Sequence, residues 1–182
     1  MNRTKVFLSG FMGSGKSTIG PSLAKRLGYD FLDVDDVVEE NEGVTIPEIF
    51  AKHGEDHFRD LEKKILGDIS RDKKSVVVAL GGGTLTRKEN RELVKNGGVL
   101  VYLRAAPEVI LERVGSGGID RPMLLAPDGN KLSGKDLERR IISLLKEREK
   151  QYLEARIVIE TSGKTVNTAV EEIVLRLKGE VL

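Results

Sequence analysis

Short apolar runs alternate along this chain with longer stretches in which apolar residues recur every three or four positions. The first short run, KVFLS at Lys5–Ser9, predicts a β-strand, and the amphipathic stretch at about 16–27 predicts a helix. A short strand follows near 31–34. Thr45-Ile46-Pro47-Glu48 then has capping-box spacing with proline in the first turn, opening a helix that runs to about Ser70. Residues 75–80, SVVVAL, form a β-branched run suited to a strand buried on both faces. Thr86-Arg87-Lys88-Glu89 repeats the capping spacing ahead of a helix ending near Lys95, and 99–103 is the fourth strand. Pro107 sits where a first-turn proline belongs, with its helix ending near Val114. Beyond a loop, 135–153 reads as a charged helix, 156–160 as a fifth strand and about 165–177 as a closing helix. Strands alternating with helices imply an α/β fold, a parallel sheet covered on both faces and joined by right-handed crossovers.

Residues 115–134 break the rhythm, with Gly, Pro, Asp and Ser throughout and no period. A loop of that length inside a compact domain is usually functional or disordered. No repeat or linker divides the chain, so 1–182 is expected to be one domain. Composition acts mainly by exclusion. Aromatic residues are 4% of the chain, so the core must be built from Val, Ile, Leu and Ala. A formal net charge of +1 offers no case for a nucleic-acid partner, which needs a concentrated basic face. Without cysteine there is neither a disulfide framework nor a thiolate zinc site. No apolar run approaches the ~20 residues of a membrane span, and the first residues lack the apolar core of a signal peptide. The expectation is a cytoplasmic protein with no membrane partner.

Directly after the first strand comes Gly10-Phe11-Met12-Gly13-Ser14-Gly15-Lys16-Ser17-Thr18, which fits G-x-x-x-x-G-K-[ST] in the strand–loop–helix context that motif requires. Its glycines let successive backbone N–H groups turn toward phosphate oxygens, and the following helix N-terminus adds the positive end of its dipole. Gly13, Ser14, Gly15, Lys16, Ser17 and Thr18 are therefore expected to bind ATP, Lys16 reaching the β- and γ-phosphates and Ser17 ligating magnesium. The acceptor of the phosphoryl group is a separate question, because the same loop serves switches, motors and small-molecule kinases.

Three other features bear on that acceptor. Asp33 and Asp35 end the second strand at alternating positions and so can face one cleft, although an Asp pair at a strand end also serves as a turn or helix cap. Arg59 and Glu62 are an i,i+3 pair on the next helix, near Phe50 and Phe58, in a protein with five phenylalanines. Gly81, Gly82 and Gly83 end the strand VVVAL where many phosphate-handling sheets place a metal-holding acid.

Taken in order, the glycine loop, the Asp-x-Asp strand end, Phe58-Arg59-x-x-Glu62, the triple glycine and Arg121-Pro122 resemble the shikimate kinases, over nearly the whole chain. The resemblance implies a three-layer α/β/α fold with a five-stranded parallel sheet in the order 2-3-1-4-5. It also implies a helical acceptor-binding region at about 34–70 and a mobile lid at about 115–134. The activity implied is transfer of the γ-phosphoryl group of ATP to the 3-hydroxyl of shikimate, on the way to chorismate and aromatic amino acids, by a monomer using Mg2+. The roles that follow are Lys16, Asp35 and Arg121 in catalysis, with Asp35 as base or positioner of the reacting hydroxyl and Arg121 closing over the phosphates of ATP. Asp35, Arg59, Gly81, Gly82, Gly83 and Arg148 would bind shikimate, the two arginines taking its carboxylate and the Gly82 N–H its carboxylate or a hydroxyl. Asp33 would join Ser17 on the metal side, through ordered water. Arg113 and the turn 160–164 are the candidates for adenine. The family's Arg-x-Pro-x-Tyr reads Arg148-Glu149-Lys150-Gln151-Tyr152 here, so the spacing survives without the proline, and Arg139, Arg140 and Arg156 are alternatives to Arg148. A related kinase acting on gluconate would share the phosphate loop without needing Asp35, Arg59 and the glycines. A non-catalytic nucleotide-binding module predicts damage at Lys16, Asp33, Asp35 or Arg121, and all four are intact. His53 and His57 have i,i+4 spacing, but with no H-E-x-x-H pattern and no obvious third ligand they read as solvated helix positions.

Overall fold

The computed structural model describes residues 5–116, 122–126 and 129–180. Its elements in chain order are β1 Lys5–Ser9, α1 Lys16–Leu27, β2 Asp30–Asp33, α2 Val34–Glu42, α3 Ile46–Arg71 and β3 Val76–Ala79. They continue with α4 Lys88–Gly97, β4 Gly98–Arg104, α5 Pro107–Ser116, α6 Gly134–Tyr152, β5 Ile157–Glu160 and α7 Val166–Glu180. All strand pairs are parallel and the sheet order is β2-β3-β1-β4-β5. The most apolar strands lie inside: β1 is flanked by β3 and β4, with Phe7 opposite both Val78 and Leu100.

Alternation along these strands sorts the core into two layers. Phe7, Val76, Val78, Leu100 and Tyr102 pack on the face covered by α3, α4 and α6, where Leu66, Val94 and Ile141 are buried. Val6, Leu8, Val77, Val101 and Leu103 pack on the other face against Leu23 of α1 and Ile173 of α7. Successive strand residues point to opposite faces, so a run apolar at every position fills both layers.

Several local expectations are corrected. The second strand ends at Asp33, and Val34 already belongs to α2, which the apolar pattern alone does not separate. Val34, read as the last residue of the strand, is β-branched, but its burial with Val38, an i,i+4 pair, overrides that preference. The capping pair at the start of α3 is formed, with the Thr45 N–H and hydroxyl donating to Glu48 at 2.8 and 2.7 Å. That helix is interrupted at Gly54 (φ 81°, ψ 177°), where glycine alone enters the required conformation easily. The second capping box does not form. Thr84–Thr86 make a 3-10 turn in which the Thr86 hydroxyl donates to the Gly83 carbonyl (2.7 Å), and α4 starts beyond it. Within 115–134, Pro122–Leu124 is another 3-10 turn, Leu125 bridges Lys131, and Leu124 is buried in the core.

The layered core makes a direct prediction on α7. Ile173→Ala is expected to lower unfolding free energy by about 2–4 kcal/mol, because Ile173 is 0% exposed. Leu175→Ala, on the same helix at 71% exposure, should stay within about 0.5 kcal/mol; urea denaturation distinguishes the two.

Candidate active site

The carboxyl ends of the strands open into a cleft of about 980 Å³. Gly13, Ser14, Gly15, Lys16, Ser17, Thr18, Asp33, Asp35, Arg59, Gly81, Gly82, Gly83 and Arg148 all line it. The sequence candidates thus converge, apart from Arg121, which lies outside the described residues. Of the alternatives to Arg148, Arg140 is committed to the Met123 carbonyl (3.0 Å) and exposed Arg139 to Asp136 (3.5 Å); neither they nor Arg156 line the cleft.

Between β1 and α1 the chain turns through Gly10 (φ 141°), Gly13 (φ 79°) and Gly15 (φ 104°). A Cβ on Gly10 would sit 2.5 Å from the Leu103 carbonyl oxygen, so the loop can lie against β4 only without a side chain there. The Lys16 ammonium donates to the carbonyls of Gly10 (2.8 Å) and Phe11 (3.1 Å), which holds it across the mouth of its own loop. Other carbonyls of this loop are held from outside, Gly13 by Arg113 (2.9 Å) and Ser14 by Thr161 (3.2 Å). Arg113, Thr161 and Lys164 line the same cleft, at its nucleotide-loop end.

Asp33 acts in two ways. One carboxylate oxygen accepts the Asp35 N–H (3.1 Å) and caps α2, while the other accepts the Ser17 hydroxyl (2.7 Å). Strand alternation does not bring the two aspartates together, as the sequence pattern suggested. A strand-to-helix turn does, with Asp35 in the first turn of α2. Asp35 Oδ1 is buried and has no hydrogen-bond partner among the described residues. Burial pushes its carboxyl up to about 7; the charges of Asp33 and Glu62 add to this, against Lys16 and Arg59.

Arg59 and Glu62 face each other on α3 at 2.7 Å, 5% and 0% exposed. Glu55 holds the same guanidinium from the opposite side at 2.8 Å, and the second Glu62 oxygen accepts the Thr84 hydroxyl. The glycines lie against this cluster. A Cβ at Gly83 would fall 2.2 Å from Arg59 Nη2, and one at Gly81 would fall 2.6 Å from Glu62 and 2.8 Å from Asp35. At Gly82 a Cβ would meet the Met12 nitrogen at 3.5 Å and Arg148 Nη1 at 3.7 Å, which are ordinary contacts. Packing therefore requires glycine at 81 and 83, whereas 82 looks into the cleft toward Arg148. Sequence reasoning missed Thr84, the hydroxyl contact of Tyr152 with the Gly82 carbonyl, and Glu39, whose carboxylate accepts the Ile46 N–H (2.7 Å) at the start of α3. Only Tyr152 carried a signal, its four-residue spacing from Arg148. His53 is exposed, with its ring 4.7 Å from that of His57.

Two measurements follow from this geometry. Gly83→Ala is expected to cost about 1–3 kcal/mol of stability, since Arg59 is clamped and cannot swing away, while Gly82→Ala costs less than about 1 kcal/mol. For Asp35, the folded value lies above the ordinary 3.8, so the folded state holds an extra proton between about pH 4 and 7. Stability therefore falls as pH rises through that window and levels off above it. Asp35→Asn should be about 1–2 kcal/mol more stable than the unaltered protein at pH 8 and gain nothing near pH 4, read by urea unfolding at both values.

The family model for shikimate kinase matches residues 12–178. A shikimate kinase of Chlorobium phaeobacteroides is 43% identical over 173 residues, covering 95% of this chain and 86% of the relative. A solved shikimate kinase from Acinetobacter baumannii, in complex with shikimate, superposes with a TM-score of 0.88 at 36% identity, covering 98% of this chain and 95% of that one. A gluconokinase from Sinorhizobium meliloti reaches 0.58 at 20% identity over 99% and 96% of the two chains, which shows a shared fold alone. With its phosphate loop and acidic strand end opening on one cleft beside the buried Arg59–Glu62 pair, the chain belongs to the shikimate kinase family, a family of ATP-dependent kinases.

Proposed function

We propose that this chain transfers the γ-phosphoryl group of ATP to the 3-hydroxyl of shikimate, giving shikimate 3-phosphate and ADP. The observation that carries the reading is the shared cleft, in which the phosphate loop faces Asp35 and two buried arginines, Arg59 and Arg148. Carboxylates favour the forked donors of arginine, so these two arginines take the carboxylate of the acceptor. Arg59 is held for this by Glu55 and Glu62. Asp35 Oδ1, which has no hydrogen-bond partner among the described residues, receives the hydroxyl that is to be phosphorylated. With its carboxyl lifted to about 7, Asp35 can hold the hydroxyl proton as the new O–P bond forms, though a loose transition state demands little proton removal. Lys16 and the loop N–H groups offset charge on the phosphates. The triple glycine leaves a flat, hydroxyl-bearing ring room against bare backbone.

The donor set at Ser17 and Asp33 suits Mg2+, being hard oxygens at the phosphate end, with the Ser17 hydroxyl already oriented toward Asp33 at 2.7 Å. Ser17 and Asp33 would hold the magnesium, which would offset negative charge on the phosphates of ATP. The same reading takes the chain as one kinase domain with 34–70 as acceptor-binding region and 115–134 as lid, Arg121 supplying the closing cation. It places the protein in the cytoplasm as a monomer.

An ADP-release assay with shikimate, gluconate and no acceptor tests this. Release above the acceptor-free rate is expected with shikimate and not with gluconate; equal release with gluconate, or none with shikimate, overturns the reading. Lys16→Met should lower kcat by about 100-fold or more, and near-normal turnover would remove Lys16 from the mechanism.

A further inference from the structure

The three carbonyls of the triple glycine are each held, but from different places. Gly81 accepts the Thr84 N–H (3.1 Å), and Gly83 accepts the N–H (3.0 Å) and hydroxyl (2.7 Å) of Thr86, both within the local turn. The Gly82 carbonyl instead accepts the hydroxyl of Tyr152, 70 positions away at the end of α6. A peptide group is planar, so holding this carbonyl also sets where the Gly83 N–H points. Tyr152 is a rigid support, being 1% exposed and stacked on Tyr102 at a centroid distance of 5.1 Å. Its hydroxyl keeps its proton at working pH, because burial pushes it up to about 12.

The helix carries a second group in register. Helix α6 runs unbroken from Gly134 to Tyr152, so Arg148 and Tyr152 lie four residues apart on one face. Arg148 Nη1 passes 3.7 Å from the point where a Gly82 Cβ would sit. One turn of α6 therefore supplies both a cation of the acceptor pocket and the support of the backbone beside it.

We propose that Tyr152 is a positioning residue for the acceptor: its hydroxyl holds the Gly82–Gly83 peptide at a set spacing from Arg148. This rests on the acceptor assignment above. Tyr152→Phe keeps the ring and its stacking and removes the hydroxyl. The dissociation constant for shikimate, measured without ATP, should rise about five- to tenfold, and KM for shikimate by a similar factor. The dissociation constant for ATP and kcat at saturating shikimate should stay within about twofold. An unchanged shikimate constant overturns the proposal. So does a drop in Tm accompanied by equal weakening of ATP and shikimate, which marks a purely structural role. If the unaltered protein neither binds nor phosphorylates shikimate, the proposed function fails and this inference with it. If the unaltered protein does both and Tyr152→Phe matches it, the inference alone fails.

Discussion

The Arg59–Glu62 pair is the interaction on which one side of the cleft depends. Removing two charges from water costs several kcal/mol per ion, and the mutual attraction of such a pair often fails to recover that cost. What the pair supplies is position. Glu62 divides its two oxygens between the Arg59 guanidinium and the Thr84 hydroxyl, and so joins α3 to the turn that follows the triple glycine. Gly83 then lies so close to the guanidinium that no side chain fits between them. The same carboxylate adds to the upward pressure on Asp35. Removing Glu62 would thus release a buried cation, loosen the glycine turn and alter the acidity of Asp35 together.

A comparable economy of groups appears at the nucleotide end. Asp33 belongs to the sheet, caps α2 and orients Ser17 of the phosphate loop. One carboxylate therefore links the element that carries Asp35 to the start of α1, directly after the glycine loop. The separation between Asp35 and the glycine loop is set by a strand end and a helix cap rather than by a loop.

Much of this was legible in the sequence, and for identifiable reasons. The phosphate loop is local, so its spacing and context declare it. The strands were visible because a sheet buried on both faces needs runs such as VVVA. Arg59, Asp35 and Arg148 were placed in one pocket by resemblance, since nothing local connects positions so far apart. What escaped was decided by tertiary contact. Helix α2 is short and valine-rich, and burial of Val34 and Val38 and the Asp33 cap support it as a helix. Thr86 carried a capping signature but turned its hydroxyl back to Gly83, because the 3-10 turn offered a nearer acceptor. Thr84 has no signature at all; its importance comes from lying opposite Glu62.

The break at Gly54 divides α3 into parts with different duties. Ile46 through His53 presents Phe50 to the cleft, and the segment beyond the break carries Arg59. The two are joined by one glycine and by contact between Phe50 and Phe58, with ring centroids 5.0 Å apart. Substitutions before Gly54 can reshape this wall of the cleft while the Arg59 cluster behind it stays in place. Within this architecture, the apolar wall before Gly54 and the charged cluster behind it are free to change along separate paths.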